Sequence, residues 1–327
     1  MHTARLLMLV ATIAFVCATA AAQEYPIKLD RPVTVGDRTT RSTTITGKLH
    51  IVAKDANATL DDRTTTYTID YAAEITVLAV DSTGYVTKDT HRIVKCRRFQ
   101  GDVSTDYFQP GALVTASFEN GQEVFTKDAQ PVTPQQAGIL RTIITLNPYA
   151  PTEDQILGTT EPRKVGDVWP VNATLLTQDV AGEMPKGPTY SGKAQLVGLV
   201  PVSGVDCLEI RIDVSNSSFA PMAPRGVTVV SGASNLTATS DYPVDTTMPM
   251  LKRHSVYSCS FQTYSSAPPL EGQQARNITV NTEYEKTNDT SITPMKRQAA
   301  TATPPQAASA PQAAPATQPA PAPQSMP

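Results

Sequence analysis

Thr64-Thr65-Thr66-Tyr67-Thr68-Ile69-Asp70-Tyr71 is the stretch on which the fold class turns. Tyr67, Ile69 and Tyr71 recur at every second position, the period of a strand with one buried face. Threonine, a β-branched residue that suits a pleated surface, fills much of the rest. Downstream, Ile75 to Val80 and Tyr85-Val86-Thr87 flank Asp81-Ser82-Thr83-Gly84, where Gly84 can take the positive φ of a short connection. Ala112 to Glu119 and Gln122 to Lys127 flank Asn120-Gly121, the strongest two-residue hairpin signal. Ala194 to Val200 and Cys207 to Val214 flank Pro201-Val202-Ser203-Gly204, and Leu251 to Phe261 and Asn277 to Glu283 read as late strands. The chain is therefore all-β.

A short repeat divides it. Pro32-Val33-Thr34-Val35-Gly36-Asp37 matches Pro162-Arg163-Lys164-Val165-Gly166-Asp167, and in each half a glycine-bearing hairpin follows, at Gly84 and at Gly204. The pattern predicts a duplicated, twisted antiparallel sheet, either as two β units or as one continuous sheet of half-barrel type. One principal helix is expected near 134–146. Thr133 is its N-cap, Pro134 its first residue and Gln136 its capping-box partner, and Asn147-Pro148 ends it. Ile139, Ile143 and Leu146 share one face of it, with Leu140 and Ile144 beside them, as a side packed on the sheet or as the lid of an apolar pocket.

The two ends differ from this body. His2 and Arg5, the apolar run Leu6 to Val16, and Ala20-Ala21-Ala22 read as a signal peptide over 1–22, with no other stretch long and apolar enough to span a membrane. From Pro294 to Pro327 there are nine prolines among Ala, Gln, Thr and Ser, with charge only on Lys296 and Arg297. Such a segment cannot bury enough apolar area to offset its ordering entropy, so 294–327 reads as a disordered tether. The expected organisation is then signal peptide 1–22, an N-terminal β half over 23–150, a C-terminal β half over 151–293, and the tail. The expected location is exported, periplasmic or extracellular.

The openings Val35-Gly36-Asp37 and Val165-Gly166-Asp167-Val168-Trp169, the Val80–Gly84 hairpin and Asn120-Gly121 resemble a family of uncharacterised exported bacterial proteins. The resemblance covers most of residues 30 to 290. It implies no activity and no catalytic residues. In strand order it is similar to the half-barrel lipoprotein-carrier and lipid-binding folds of the bacterial envelope, so the resemblance implies an apolar ligand on a curved sheet.

Composition narrows the chemistry. Lys+Arg total 27 against Asp+Glu 30, a net charge of −3, so there is no basic surplus for nucleic acid. His50, His91 and His254 stand far apart with no metal-ligand spacing, and phosphate or dinucleotide loops and a G-x-S-x-G elbow are absent. No catalytic, cofactor-binding or metal residue is assigned, and no cofactor is expected. After signal cleavage three cysteines remain. Cys207 and Cys259 share one half and are the favoured disulfide, leaving Cys96, in an exported setting that permits oxidation. Trp169, the single tryptophan, reads as a core anchor. The expected function is non-catalytic binding of a hydrophobic small molecule or protein partner, with Ile139, Leu140, Ile143 and Ile144 as the ligand face. The alternative is a structural or interaction module tethered by its Pro/Ala tail.

Overall fold

The computed structural model describes residues 23–56, 58–181, 190–221, 223–267 and 276–295. The expected signal peptide, 1–22, and nearly all of the expected tether, 294–327, lie outside them. The N-terminal half supplies β1 (Arg38–Lys54), β2 (Thr59–Val80), β3 (Val86–Gln100), β4 (Val103–Asp106), β5 (Leu113–Glu119), β6 (Gln122–Lys127) and β7 (Gln130–Pro131). The C-terminal half supplies β8 (Val168–Pro170), β9 (Ser191–Val202), β10 (Val205–Asn216), β11 (Val227–Pro243), β12 (Lys252–Ala267) and β13 (Arg276–Pro294).

All thirteen strands join one antiparallel sheet that does not close into a barrel. Its order is β7-β6-β5-β3-β2-β1-β13-β12-β11-β10-β9-β8, with β4 beside β3. Each half is an up-and-down meander, and the two are spliced where the first strand meets the last. That seam is long and unbroken, from Thr39 opposite Pro294 to Lys54 opposite Thr279. The outer edges are short and each carries a proline, Pro131 in β7 and Pro170 in β8. Proline cannot donate to another strand, so both edges resist further pairing.

The repeat is structural. Gly36 and Gly166 take φ of +89° and +96°. The Asp37 and Asp167 amides donate to the carbonyls of Thr34 and Lys164, which closes each turn. Gly36 then donates to Val77 of β2 and Gly166 to Leu196 of β9, so both turns dock on the second strand of their own half. The hairpins also stand where the sequence places them, with positive φ at Gly84, at Asn120-Gly121 and at Ser203-Gly204.

Directly opposed residues of neighbouring strands project to one face, so register converts into rows across the sheet. One row runs Leu196, Ile210, Ser240, Arg253, Thr290, Thr43, Tyr71, Cys96 from β9 to β3. It is apolar at both ends and polar in the middle. Two cores form accordingly. The N-terminal core gathers Ile69, Ala73, Ile93, Val114 and Phe125 under Leu140, Ile144 and Leu146. The C-terminal core gathers Ala194, Leu196, Ile210 and Ile212 under Tyr25, Ile27, Leu29 and Trp169. Trp169 also donates from Nε1 to the Leu157 carbonyl at 2.7 Å.

Among the described residues, three helices lie over this face. The expected one, α1 (Pro134–Arg141), has the capping box of Thr133 and Gln136 but ends earlier than its apolar pattern, leaving Ile143 and Ile144 in the following turn. The sequence reading did not place α2 (Glu153–Leu157) and α3 (Ala173–Ala181). Thr152 caps α2, and Asp30 accepts from the amides of Glu153 and Asp154 at 3.1 and 3.3 Å. Leu29 donates back to the Asp154 carboxylate at 2.6 Å. The start of the described chain is thus fastened to the connection between the halves.

Candidate functional site

The polar middle of the sheet lies between the two cores. On one side of it Arg253 of β12 donates to Ser240 at 2.9 Å and to the Tyr242 hydroxyl at 2.8 Å, and it pairs with Glu153 of α2. Tyr242 in turn donates to Glu153 at 2.7 Å. Burial works against charge on Arg253, but Tyr242 and Glu153 outweigh it and hold the guanidinium protonated. On the other side Tyr71, His91 and Asp89 form a buried chain. The Tyr71 hydroxyl lies 2.7 Å from His91 Nδ1, and His91 Nε2 lies 2.9 Å from Asp89. Burial raises the Tyr71 pKa well above its ordinary value. His91 is 0% exposed, so the chain supports the core rather than meeting a substrate.

Two adjoining concavities open in this region. One, of about 320 Å³, is lined by Ile75 and Val77 of β2, Val86 of β3, Ile292 of β13, Met248 and Met295. Arg31, Arg38, Arg41, Asp37 and Asp89 are the charged groups in its wall. The second, of about 720 Å³, extends past Tyr85, Leu146 and Ala150, with Lys28, Asp30 and Arg31 in its wall. Both include Arg31, Pro32, Val33, Val86 and Thr247, so they form one cleft over the ends of β1, β2 and β13. The Gly36 turn builds this place. It folds Pro32-Val33 back across the strand ends and starts β1 in a register that sets Arg41 opposite Ala73 and Ile292.

The charges in the wall are unevenly compensated. Lys28 pairs with Asp154 at 2.9 Å, Arg38 with Glu74 at 3.5 Å, and Asp89 with His91. Asp37 accepts from Thr34, and Asp30 from the first amides of α2. Arg31 donates only to the carbonyls of Pro243 and Asp245, at 3.0 and 3.4 Å, and stacks its guanidinium 5.6 Å from the Tyr242 ring centre. Its pKa is lowered by burial. Arg41 makes no hydrogen bond or ion pair among the described residues. Nε of Arg31 and Nε of Arg41 are both buried without a partner.

The residues singled out by sequence fall elsewhere. Ile139, Leu140 and Ile144 are buried in the N-terminal core, and Ile143 packs against it. None of the four lines the cleft, whose wall begins at the next residue, Thr145. The Cys207–Cys259 disulfide is absent, and Cys96, Cys207 and Cys259 are free and buried. Cys207 lies opposite Pro243 and Cys259 opposite Ser234, positions on the order of 30 Å apart along β11. A disulfide needs its Cα atoms within about 7 Å. Burial raises all three thiol pKa values, that of Cys96 to about 12, so they stay protonated and unreactive. His50 and His254 sit at the surface beside Asp62 and Asp289, at 3.1 and 2.7 Å. No group of three or more His, Cys, Asp or Glu side chains that could hold a metal exists among the described residues. No described helix is long and apolar enough to cross a membrane.

The sequence reading missed the arginines. Arg31, Arg38 and Arg41 do cluster around the first V-G-D turn, but nothing in their spacing says which face of a strand each will take.

No protein-family model and no curated protein matches the chain. Solved structures match it only distantly. Lipovitellin, from a structure of its lipid–protein interactions, is 10% identical with a TM-score of 0.33 over 81% of this chain and 26% of that one. The chain thus aligns with about a quarter of that protein. The toluene transporter TodX of P. putida is 9% identical, with a TM-score of 0.16 over 82% of this chain and 93% of that one. OccK1 of Pseudomonas aeruginosa is 7% identical, with a TM-score of 0.13 over 80% of this chain and all of that one. Likeness at this level assigns neither a family nor a ligand.

Proposed function

We propose that this is an exported envelope protein that binds an apolar small molecule, without chemistry, in the cleft between its two cores. One observation carries the reading. A β-sheet face that is packed at both ends opens between them into a concavity lined by Ile75, Val77, Val86, Met248 and Ile292. Small-molecule sites are concave, mostly apolar, and provided with a few convergent polar groups. The cleft has that composition. The buried thiols and the enclosed His91 present neither a thiolate nor an imidazole to its contents.

The test is native mass spectrometry of the full chain isolated from an envelope fraction, followed by denaturing extraction and by titration with a hydrophobic fluorescent probe, N-phenyl-1-naphthylamine. A co-purifying apolar molecule, or saturable uptake of the probe that Val77→Trp blocks, is the expected result. A bare protein mass together with no saturable uptake sinks the reading.

A further inference from the structure

The cleft is mostly apolar, yet two cations stand in its wall without an ion-paired carboxylate. Among the described residues lining it, Arg31 and Arg41 are the cations with no ion pair or hydrogen bond to a carboxylate; Arg31 feels Asp154 and Asp245 only through space. A buried guanidinium nitrogen with no acceptor forfeits a hydrogen bond that water would otherwise supply. Two such nitrogens occur here, Nε of Arg31 and Nε of Arg41, and the residues that carry them border the same space. The carboxylates within reach are already committed. Asp89 is held by His91, Asp37 by Thr34, Asp154 by Lys28, Asp245 by Thr247, and Glu153 by Arg253 and Tyr242.

The two arginines are also held in place. Carbonyls of Pro243 and Asp245 and the Tyr242 ring fix Arg31. Arg41 is anchored by the continuous β1 pairing to β2 and β13, which places it between Ala73 and Ile292. Planar guanidinium groups fit carboxylate and phosphate oxygens, and such charge-assisted bonds gain strength away from water. Beyond them the wall turns apolar, through Val77 and Val86 towards Leu146.

Resting on the reading of the cleft as an apolar site, we propose that its ligand is an anionic amphiphile. Its carboxylate or phosphate head meets Arg41 and Arg31, and its hydrocarbon chain runs along Val77, Val86 and Leu146. The arginines thereby select among apolar molecules by head group, and chain contacts supply the rest of the affinity.

The experiment uses three probes with the same chain and different heads, dodecanoate, dodecanol and dodecyltrimethylammonium, titrated into the full chain at neutral pH and below their micellar concentrations. The expected order is dodecanoate tightest, at least about tenfold over dodecanol, with the cation weakest. Arg41→Gln is expected to bring dodecanoate to within about threefold of dodecanol, whereas Arg41→Lys keeps most of the preference. If dodecanoate and dodecanol bind wild-type protein equally, the head-group assignment is wrong while the apolar cleft stands. If the anion preference survives Arg31→Gln combined with Arg41→Gln, the assignment is likewise overturned. If none of the three binds, the cleft reading fails and takes this one with it. The wild-type series alone decides the matter should a variant fail to fold.

Discussion

The two cores rest on similar sheet faces and are covered in different ways. The N-terminal core takes its cover from nearby chain, since Leu140, Ile144 and Leu146 follow β6 and β7 almost directly. The C-terminal core is covered partly by Tyr25, Ile27 and Leu29, which precede its first strand, β8, by 139 residues or more. The first core can thus form from local chain, whereas the second waits for a remote segment to return. Because Asp30 and Leu29 also fasten that segment to α2, the cleft floor is bounded on one side by a cover that the other half of the chain provides.

The comparison breaks most visibly at that remote cover. Ile27→Ala combined with Leu29→Ala removes two large side chains, each less than a tenth exposed, and is expected to cost about 4–8 kcal/mol. The loss should be confined: by hydrogen exchange, amides of β9 to β11 lose protection while those of β2, β3 and β5 keep most of theirs. Leu140→Ala is expected to cost about 2–5 kcal/mol with the opposite distribution. Uniform loss across the sheet in both variants would mean that the cores are one cooperative unit, despite their separate covers.

Much of this architecture was legible in the residues, for a physical reason. The alternation of Tyr67, Ile69 and Tyr71, and turns such as Asn120-Gly121, depend on two to eight consecutive residues and little else. So does the duplicated V-G-D turn, whose glycine must take a positive φ. The splice of β1 to β13 was not legible, because it joins residues 225 or more positions apart and no local pattern specifies it. The cleft shares that obscurity. Arg41 enters its wall only once β1 is in register with β13, and Arg31 only once residues 25–29 cross to the other core. The apolar stripe Ile139, Leu140, Ile143 and Ile144 is legible as a face packed on the sheet and closes the N-terminal core as such, although the helix stops at Arg141 and leaves Ile143 and Ile144 beyond it. The disulfide was inferred from membership in one half. Membership does not fix position along a strand: Cys207 pairs with the last residue of β11, Pro243, and Cys259 with Ser234 near its middle.

A smaller change probes how each side keeps its polar groups. Tyr71→Phe leaves the buried His91 Nδ1 without its 2.7 Å partner. The expected cost is about 1–3 kcal/mol, read by denaturant titration. A neutral result would mean that water reaches the ring and that the chain Tyr71–His91–Asp89 is not sealed.

The repeat itself can be weighed by matched substitutions. Gly36→Ala and Gly166→Ala each force a Cβ into a positive-φ turn, with no neighbouring atom within 4 Å to add a clash. Backbone strain alone then predicts equal losses, about 1–2 kcal/mol apiece. Unequal losses would show that one turn carries a duty the other lacks. For Gly36 that duty is shaping the cleft, and only its variant should also alter probe uptake.

The smallest effect concerns two acids near the end of β11, four residues apart and opposite in sign. Asp245 accepts from the Thr247 amide and hydroxyl, at 2.9 and 2.7 Å, which lowers its pKa. Its contribution is therefore present above the unfolded carboxylate value, about 3.9, and is lost as pH falls through the depressed folded value. Asp241 runs the other way. Burial, and then Glu209 directly opposite on β10, raise its pKa. The folded protein thus favours protonated Asp241, and that advantage, complete below the unfolded value, disappears as pH climbs through the raised one. Asp241→Asn removes the like-charge pair and is expected to stabilise the protein at pH 7 by about 0.2–1 kcal/mol. The gain should vanish near pH 3, where Asp241 is already neutral. A gain that persists unchanged to pH 3 would assign it to packing or to a new amide hydrogen bond, and would remove Glu209 from the account.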